Sequence, residues 1–316
     1  MRVSALVFQR EEKMRIQLFL SLLLLCLAPG CAVIPYHYTS DLPNPPIWRD
    51  QPQIETGRPN AFLDTVGNVV SLPSKIILLN GKVDNHRISA RTVADLESFL
   101  QQNDLRNVKI RVNQYAPGGE WIRLFRNRSV GIGWRVTLGV LTNVYYTILP
   151  GRIFGGDHYN PFTNTVSLYS DHSAIALHEA GHAKDFAQRR YKGSYAFLRL
   201  LPLVPLYQEA KATGDTVGYL RERQETRREK RAYKILYPAY GTYIGGEILN
   251  WVPAGQEVSY LVLFGAALPG HLVGRIKAAA TPEAPALAPD ESREAPLAGP
   301  VLVPAAESTR PGEERQ

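Results

Sequence analysis

Apolar residues in the first half of the chain form three patterns, which predict two strands and a helix. In Lys75–Asn80 four apolar residues stand in a row before Gly81, which predicts a short buried strand. From Ser89 to Gln102 apolar residues recur at helical spacing, so a helix is expected there. Val108–Val112 alternates apolar and polar residues, as a half-buried strand does, and Pro117-Gly118-Gly119 then predicts a turn.

The middle of the chain predicts a strand that leads directly into a helix. Ser129–Leu149 is apolar but carries an interior Arg and Asn, which favours a packed strand pair or a helix over a membrane span. Asn164–Tyr169 is typical of a strand. Asp171 or Ser173 can then cap the N-terminus of a helix that runs through His178 and His182.

Two helical segments and a polar tail are expected in the last third. The first helix spans about Thr216 to Tyr237. The apolar stretch Val258–Ile276 is interrupted by Pro269-Gly270-His271, which favours a core or membrane-surface helix, with a transmembrane helix as the alternative. From about Ala278 the composition turns to Pro, Ala and Glu, which indicates disorder.

These elements predict an α+β fold, in which a small mixed sheet packs on the helix carrying the histidine pair and the C-terminal half is mainly helical. The folded domain is expected at 61–277. It follows a Pro-rich tether at 31–60 and precedes a disordered tail at 278–316.

The charge balance gives no sign of a nucleic-acid partner. The 316 residues contain 36 Lys and Arg and 29 Asp and Glu, for a net charge of +7, and several basic residues precede the first apolar run. The basic stretch Arg221–Arg231 alternates with Glu, which is typical of a solvated helix face. No aromatic and basic interleaving accompanies it, so binding to nucleic acid is not expected.

The N-terminus predicts secretion and a lipid anchor. An apolar run over 16–28 follows basic residues, which is the pattern of a signal peptide at 1–30. Leu27-Ala28-Pro29-Gly30-Cys31 resembles the bacterial lipoprotein box, and that resemblance implies acylation of Cys31 and a place in the bacterial cell envelope, on the periplasmic face of a membrane. The only other cysteine is Cys26, so the mature chain has no disulfide. The alternative is simple secretory cleavage that leaves Cys31 unmodified.

The segment His178-Glu179-Ala180-Gly181-His182 carries the strongest chemical signal. Residues four apart lie on one face of a helix, so both imidazoles can reach one ion. Zinc accepts such nitrogen ligands, and its catalytic sites leave one position for water. Glu179 is placed to take a proton from that water, which predicts a catalytic role for it.

The expected third ligand is a carboxylate on the following helix. On the predicted helix Thr216–Tyr237, Glu225 and Glu229 share a face with apolar residues, and a carboxylate on a buried face needs a partner. Glu229-Lys230-Arg231-Ala232 resembles the Glu-x-x-Ala signature of the gluzincin metallopeptidases. The resemblance implies a zincin-like fold and zinc held by His178, His182 and Glu229, with Glu225 as the alternative ligand.

The functional hypothesis is therefore zinc-dependent hydrolysis of peptide bonds by a membrane-anchored lipoprotein acting on a peptide or protein. The strand Asn164–Tyr169 is the expected sheet edge for an extended substrate. Tyr240, Tyr243 and His271 are open alternatives for an oxyanion donor, and Asp185 either supports a ligand imidazole or solvates the helix end. The rivals are a non-catalytic envelope lipoprotein with a structural zinc clamp or partner-binding element, and a core histidine pair without metal.

Overall fold

A small sheet and a larger set of helices make up the part of the chain that the computed structural model describes, residues 36–39 and 52–283. The strands are β1 (Ile54–Thr56), β2 (Lys109–Val112), β3 (His158–Asn160) and β4 (Thr165–Leu168). Their order across the sheet is β1-β2-β4-β3. The β1/β2 and β2/β4 pairs are parallel, and β3 runs antiparallel to β4.

The helices occupy most of the remaining described chain. In order they are α1 (Ala61–Val70), α2 (Leu72–Ile77), α3 (Ala90–Gln102), α4 (Pro117–Arg126), α5 (Val140–Ile148), α6 (Ser173–Ala187), α7 (Lys192–Leu198), α8 (Val204–Glu222), α9 (Thr226–Trp251) and α10 (Gln256–Ala280). A short helix, Ile132–Trp134, and a π-helical turn, Arg135–Gly139, lead into α5. This mixture of a small sheet with many helices confirms the expected α+β class.

Helix α6 lies at the centre of the main core. Nearly every residue from Ala174 to Phe186 is buried, and Ala and Gly recur on all sides of the helix. Small side chains let neighbouring backbones approach closely, so a helix of this composition can be covered on several faces. The core around it draws on β2, β4, α3, α8 and α9.

The predictions of helix α3 and of the strands β2 and β4 are confirmed. Helix α3 begins after Ser89, whose side chain accepts a hydrogen bond from the Thr92 amide, and it ends before Asn103. Strand β2 is buried at every position rather than on one face. The reason is that its two basic side chains are paired, since Lys109 and Arg111 both contact the Glu55 carboxylate.

Other local predictions are wrong. The run Lys75–Asn80 is not a strand: residues 75–77 end helix α2 and residues 78–80 follow it outside the helix, because a short apolar run fits either element and tertiary packing decides between them. Pro117 begins helix α4, where its missing amide hydrogen costs nothing. The predicted helix Thr216–Tyr237 is interrupted, since α8 ends at Glu222 and α9 begins at Thr226.

The predictions for the N-terminus fall only partly within the described residues. The signal peptide, Cys31 and the tail beyond residue 283 lie outside them. Of the expected tether at 31–60, the described parts are packed. Ile54–Thr56 forms β1 on the sheet, and Tyr36 donates a hydrogen bond to Asn103 and contacts the Tyr219 ring.

Helices α9 and α10 pack closely against each other as an antiparallel pair, through small residues. A Cβ added at Gly270 would lie 2.4 Å from the Tyr237 carbonyl oxygen, and one at Gly274 would lie 2.4 Å from that of Tyr233. By length and composition α10 could cross a membrane, and only 17% of its apolar window is buried. Its outward face carries large apolar side chains, among them Leu261 and Leu272.

Asp171 joins the start of α6 to the start of α3. It does not cap α6, whose N-cap residue is His172, with no side-chain cap bond. Instead its carboxylate accepts hydrogen bonds from the Ser89 amide at 3.0 Å, the Ser89 hydroxyl at 2.6 Å and the Thr92 hydroxyl at 2.7 Å. Burial opposes its charge, but these bonds and Lys82 outweigh that effect and lower the pKa of Asp171.

We therefore expect Asp171→Ala to reduce the free energy of unfolding by about 1 to 2 kcal/mol, because the α3 cap loses its acceptor. The pKa of Asp171 is lower in the folded state, so the advantage of the wild type is present at neutral pH and shrinks as the pH falls below about 4. Urea unfolding at several pH values measures this. Glu97→Ala, at an exposed α3 position, is the control, and an equal loss in both variants would contradict the assignment.

Candidate metal centre

Helices α6 and α8 bring three buried ligand-type side chains together. The Nε2 atom of His178 lies 2.9 Å from Glu209 Oε2, and Nε2 of His182 lies 3.3 Å from the same oxygen. The two imidazole rings are 4.7 Å apart between centroids. One nitrogen or oxygen from each residue lies within 4.8 Å of the others, so the group could hold a metal ion.

Two small residues allow this approach of the helices. A Cβ added at Gly181 would lie 3.0 Å from the Ala212 carbonyl oxygen and 3.2 Å from its Cα, so the α6 and α8 backbones are nearly in contact there. Glu209 stands three residues before Ala212 and thus on the same face of α8. The Gly181 and Ala212 contact therefore sets the distance at which Glu209 meets the histidine pair.

The charges within the cluster compensate one another. Burial opposes the charged imidazole of His182, but the attraction and hydrogen bond of Glu209 outweigh it and raise the pKa of His182. Burial likewise opposes the charge of Glu209, yet the two histidines hold its pKa well below the ordinary value. A carboxylate that stabilises a protonated imidazole also stabilises a bound cation, which would take the place of the histidine protons.

Glu179 is buried beside the pair without a partner of its own. It is 7% exposed, and within the described part of the chain its carboxylate makes no hydrogen bond or ion pair. Burial raises the pKa of Glu179, although the neighbouring histidines oppose the rise. A buried carboxyl group of this kind fits a group that binds and releases a proton.

A second set of side chains holds the ligands in place. The Thr213 hydroxyl lies 3.4 Å from Nδ1 of His178, and Arg199 donates to Oε1 of Glu209 at 2.7 Å. Tyr243, on α9, faces the same carboxylate. The charge of Glu209, followed by burial and the charge of Glu179, raises the pKa of Tyr243 well above its ordinary value, so this phenol keeps its proton.

The expected third ligand, Glu229, is not in the cluster. Its carboxylate accepts hydrogen bonds from Arg221 at 2.9 Å and from the Tyr233 hydroxyl at 2.8 Å. The alternative, Glu225, precedes the first residue of α9 and pairs with Arg223 at 2.9 Å and Arg228 at 2.6 Å. The break between α8 and α9 turns both acids toward arginines, and the carboxylate that reaches the histidines is Glu209.

A sequence signal for Glu209 was present. Glu209-Ala210-Lys211-Ala212 has the same Glu-x-x-Ala spacing as the segment at Glu229, and it lies closer in sequence to the histidine pair. The Ala of this segment is the residue that contacts Gly181. Arg199 carried no comparable signal, because it stands in the segment between α7 and α8, outside any recognisable pattern.

The other sequence candidates fall in different places. Asp185 binds Arg189 and the Tyr195 hydroxyl, so it joins α6 to α7 and does not contact an imidazole ligand. His271 lies 2.8 Å from the Ile77 carbonyl oxygen, between α10 and α2. The strand within Asn164–Tyr169 is β4, which lies between β2 and β3, so the expectation that it forms the sheet edge is wrong. The edge strand on that side is β3.

Comparisons of the chain with protein-family models, with curated proteins and with solved structures give no match.

The cluster predicts that the two buried glutamates, Glu209 and Glu229, differ sharply in their effect on zinc affinity. Substituting a ligand should cost more than the ten- to hundredfold typical of a supporting residue, so Glu209→Gln should weaken zinc binding by at least about a hundredfold. Glu229→Gln should leave it within about threefold, since the Glu229 carboxylate is bonded to Arg221 and Tyr233 and not to the histidines. Competition titration with a chromogenic chelator measures both affinities. The reverse ranking would restore Glu229 as the ligand.

Proposed function

We propose that this protein is a zinc-dependent hydrolase of peptide bonds. The observation that carries the proposal is the convergence of His178, His182 and Glu209 with an unpartnered, buried Glu179 beside them. Two imidazoles and one carboxylate form a donor set of catalytic zinc sites, which leave a further position open. Zinc bonds of about 2.0 to 2.2 Å place tetrahedral ligand atoms roughly 3.3 to 3.6 Å apart, close to the 2.9 and 3.3 Å found between Glu209 and the histidines.

In the proposed hydrolysis, zinc and the protein side chains have different roles. Bound zinc supplies Lewis acidity, which lowers the pKa of water and polarises a carbonyl group. Glu179 accepts a proton from the attacking water, whose oxygen bonds to the carbonyl carbon of the substrate. The carbon–nitrogen bond then breaks, and Glu179 returns the proton to the leaving amine. The products are a carboxylic acid and an amine, which become a carboxylate and an ammonium group by proton exchange at neutral pH, and Glu179 ends in its starting state.

The state of Glu179 favours catalysis over a structural clamp. A clamp needs ligands and the groups that orient them, and buried polar groups in proteins are normally paired. Glu209 meets that expectation through Arg199 and the histidines. A second buried carboxyl group without a partner costs stability, and such groups concentrate where a proton must be moved.

Tyr243 is the donor that we assign to the developing oxyanion. Tyr243 lies beside the cluster, since both Glu209 and Glu179 raise its pKa. It is 37% exposed, so a substrate can reach it. Arg199 holds Glu209 and is a positioning residue.

We also propose a zincin-like fold, with the peptide substrate bound along strand β3. Strand β3 is short, lies at the sheet edge and runs antiparallel to β4, and β4 leads into helix α6. An extended peptide could add to β3 through main-chain hydrogen bonds, as peptides do at exposed sheet edges. Helix α6, which carries His178, follows β4 directly in the chain.

We also propose that the enzyme is held on a membrane in the bacterial cell envelope. The support is the lipoprotein-type segment ending at Cys31 and the apolar outward face of α10. Two or more acyl chains give stable membrane attachment, whereas one chain is marginal. The proposed substrate is then a peptide or protein that reaches the membrane surface.

The decisive variant for catalysis is Glu179→Gln. The amide keeps the shape of the side chain but cannot accept the proton, so peptide hydrolysis should fall by at least about a hundredfold while one zinc per chain is retained. Hydrolysis of a denatured protein substrate and zinc content by atomic emission measure the two properties. Equal hydrolysis by variant and wild type would favour the structural clamp.

Tyr243→Phe should separate oxyanion stabilisation from metal binding. Loss of one such donor typically lowers kcat by about a hundredfold or more, and the Michaelis constant should change little. Zinc affinity should remain within about threefold of the wild type, because the phenol is not a ligand. Tyr240→Phe is the matched control on the same helix, and an equal effect of both substitutions would remove the assignment.

A further inference from the structure

A second cavity, separate from the metal centre, opens beside the beginning of α6. Its volume is about 580 Å³, and its wall is formed by the starts of α3 and α6 and by parts of α9 and α10. Six basic side chains line it: Lys82, Arg91, Arg228, Arg231, Lys234 and Arg275. Its size is that of ordinary small-molecule sites in proteins.

Most of this positive charge is not compensated. Lys82 pairs with Asp171 at 2.9 Å, and Arg228 pairs with Asp95 at 2.9 Å. Over residues 36–39 and 52–283, no acidic partner within ion-pair distance is found for the other four, Arg91, Arg231, Lys234 and Arg275. Like charges around one opening repel each other, and a polyanion in the opening would relieve that repulsion.

The wall also offers hydrogen-bond donors. Helix α6 starts here, and no side chain caps its first turn. The N-terminal turn of a helix favours negative charge because its amide hydrogens lack acceptors within the helix. The Nδ1 atom of His172, the N-cap residue, is buried without a hydrogen-bond partner in the described structure. Burial and the charges of Lys82 and Arg231 lower the pKa of His172 to about 4, so its ring is neutral near pH 7.

Apolar side chains complete the lining. Leu78 and the exposed Leu79 line the cavity together with the basic residues. A purely ionic ligand would gain nothing from them, whereas a molecule with an anionic head and an apolar part could contact both.

We propose that this cavity binds a phosphate-bearing ligand that carries an apolar group. Arginine forms paired hydrogen bonds to phosphate oxygens, and three of the four uncompensated residues are arginines. The phosphate could belong to an anionic phospholipid or to a soluble phosphorylated compound. A lipid could arrive along α10, where exposed Leu272 and Ile276 flank Arg275.

The site is independent of the proposed hydrolysis. The cavity meets α6 at His172, Ser173 and Ala174, whereas the metal cluster lies further along the helix, and no residue belongs to both. The basic segment Arg221–Arg231 was expected to be a solvated face, but Arg228 and Arg231 line this cavity. Binding can therefore be tested whether or not the protein hydrolyses peptides.

The experiment is calorimetric titration of the full chain in detergent micelles with three probes: pyrophosphate, short-chain phosphatidylglycerol and short-chain phosphatidylcholine. The wild type should bind at least one of the two anionic probes, with no saturable binding of phosphatidylcholine. The double variant Arg231→Gln/Lys234→Gln should bind at least about tenfold more weakly, because it loses two of the four uncompensated charges. Its zinc content should be unchanged.

The control is Arg128→Gln/Arg227→Gln, which makes the same charge change at exposed positions outside the cavity and should bind within about twofold of the wild type. Tight phosphatidylglycerol binding with weak pyrophosphate binding would support the lipid source. Equally tight binding of pyrophosphate would support a soluble phosphorylated ligand and would remove the apolar group from the proposal. The proposal is overturned if neither anionic probe binds, if phosphatidylcholine binds as well as phosphatidylglycerol, or if the control loses as much affinity as the cavity variant.

Discussion

The burial of two imidazoles and a carboxylate at one point is the constraint on which the rest of the site depends. Each of these groups is costly to bury alone when charged, and here each is within hydrogen-bond reach of another. Their meeting requires α6 and α8 to lie almost in backbone contact at Gly181 and Ala212. A larger residue at either position would move Glu209 away from the histidines and leave it a buried charge without its two imidazole partners.

The fold arranges charge in opposite ways along helix α6. Near His178 and His182 the positive and negative groups balance, apart from Glu179, and the small space between them suits a single cation. At the first turn of α6 the basic groups outnumber the acids, and a larger open cavity suits an anion. Helix α9 contributes to both regions, through Tyr243 at the first and through Arg231 and Lys234 at the second.

The sequence predicted the histidine helix, α3, β2 and β4, because each depends on local spacing or capping that neighbouring residues display. It did not predict the partner of the histidines. The Glu-x-x-Ala pattern occurs at Glu209 and again at Glu229, and the choice depends on where α8 ends and which arginines lie nearby. Residues 75–77 end a helix instead of forming a strand for a similar reason, since four apolar residues suit a strand or a helix until packing selects one.

The most direct test of the metal centre is a crystal of the zinc-loaded protein measured at the zinc absorption edge. We expect one anomalous peak per chain, at about 2.0 to 2.2 Å from one nitrogen each of His178 and His182 and one oxygen of Glu209. A peak bound to Glu229 or Glu225 instead, or the absence of any peak between α6 and α8 in zinc-saturated crystals, would contradict it.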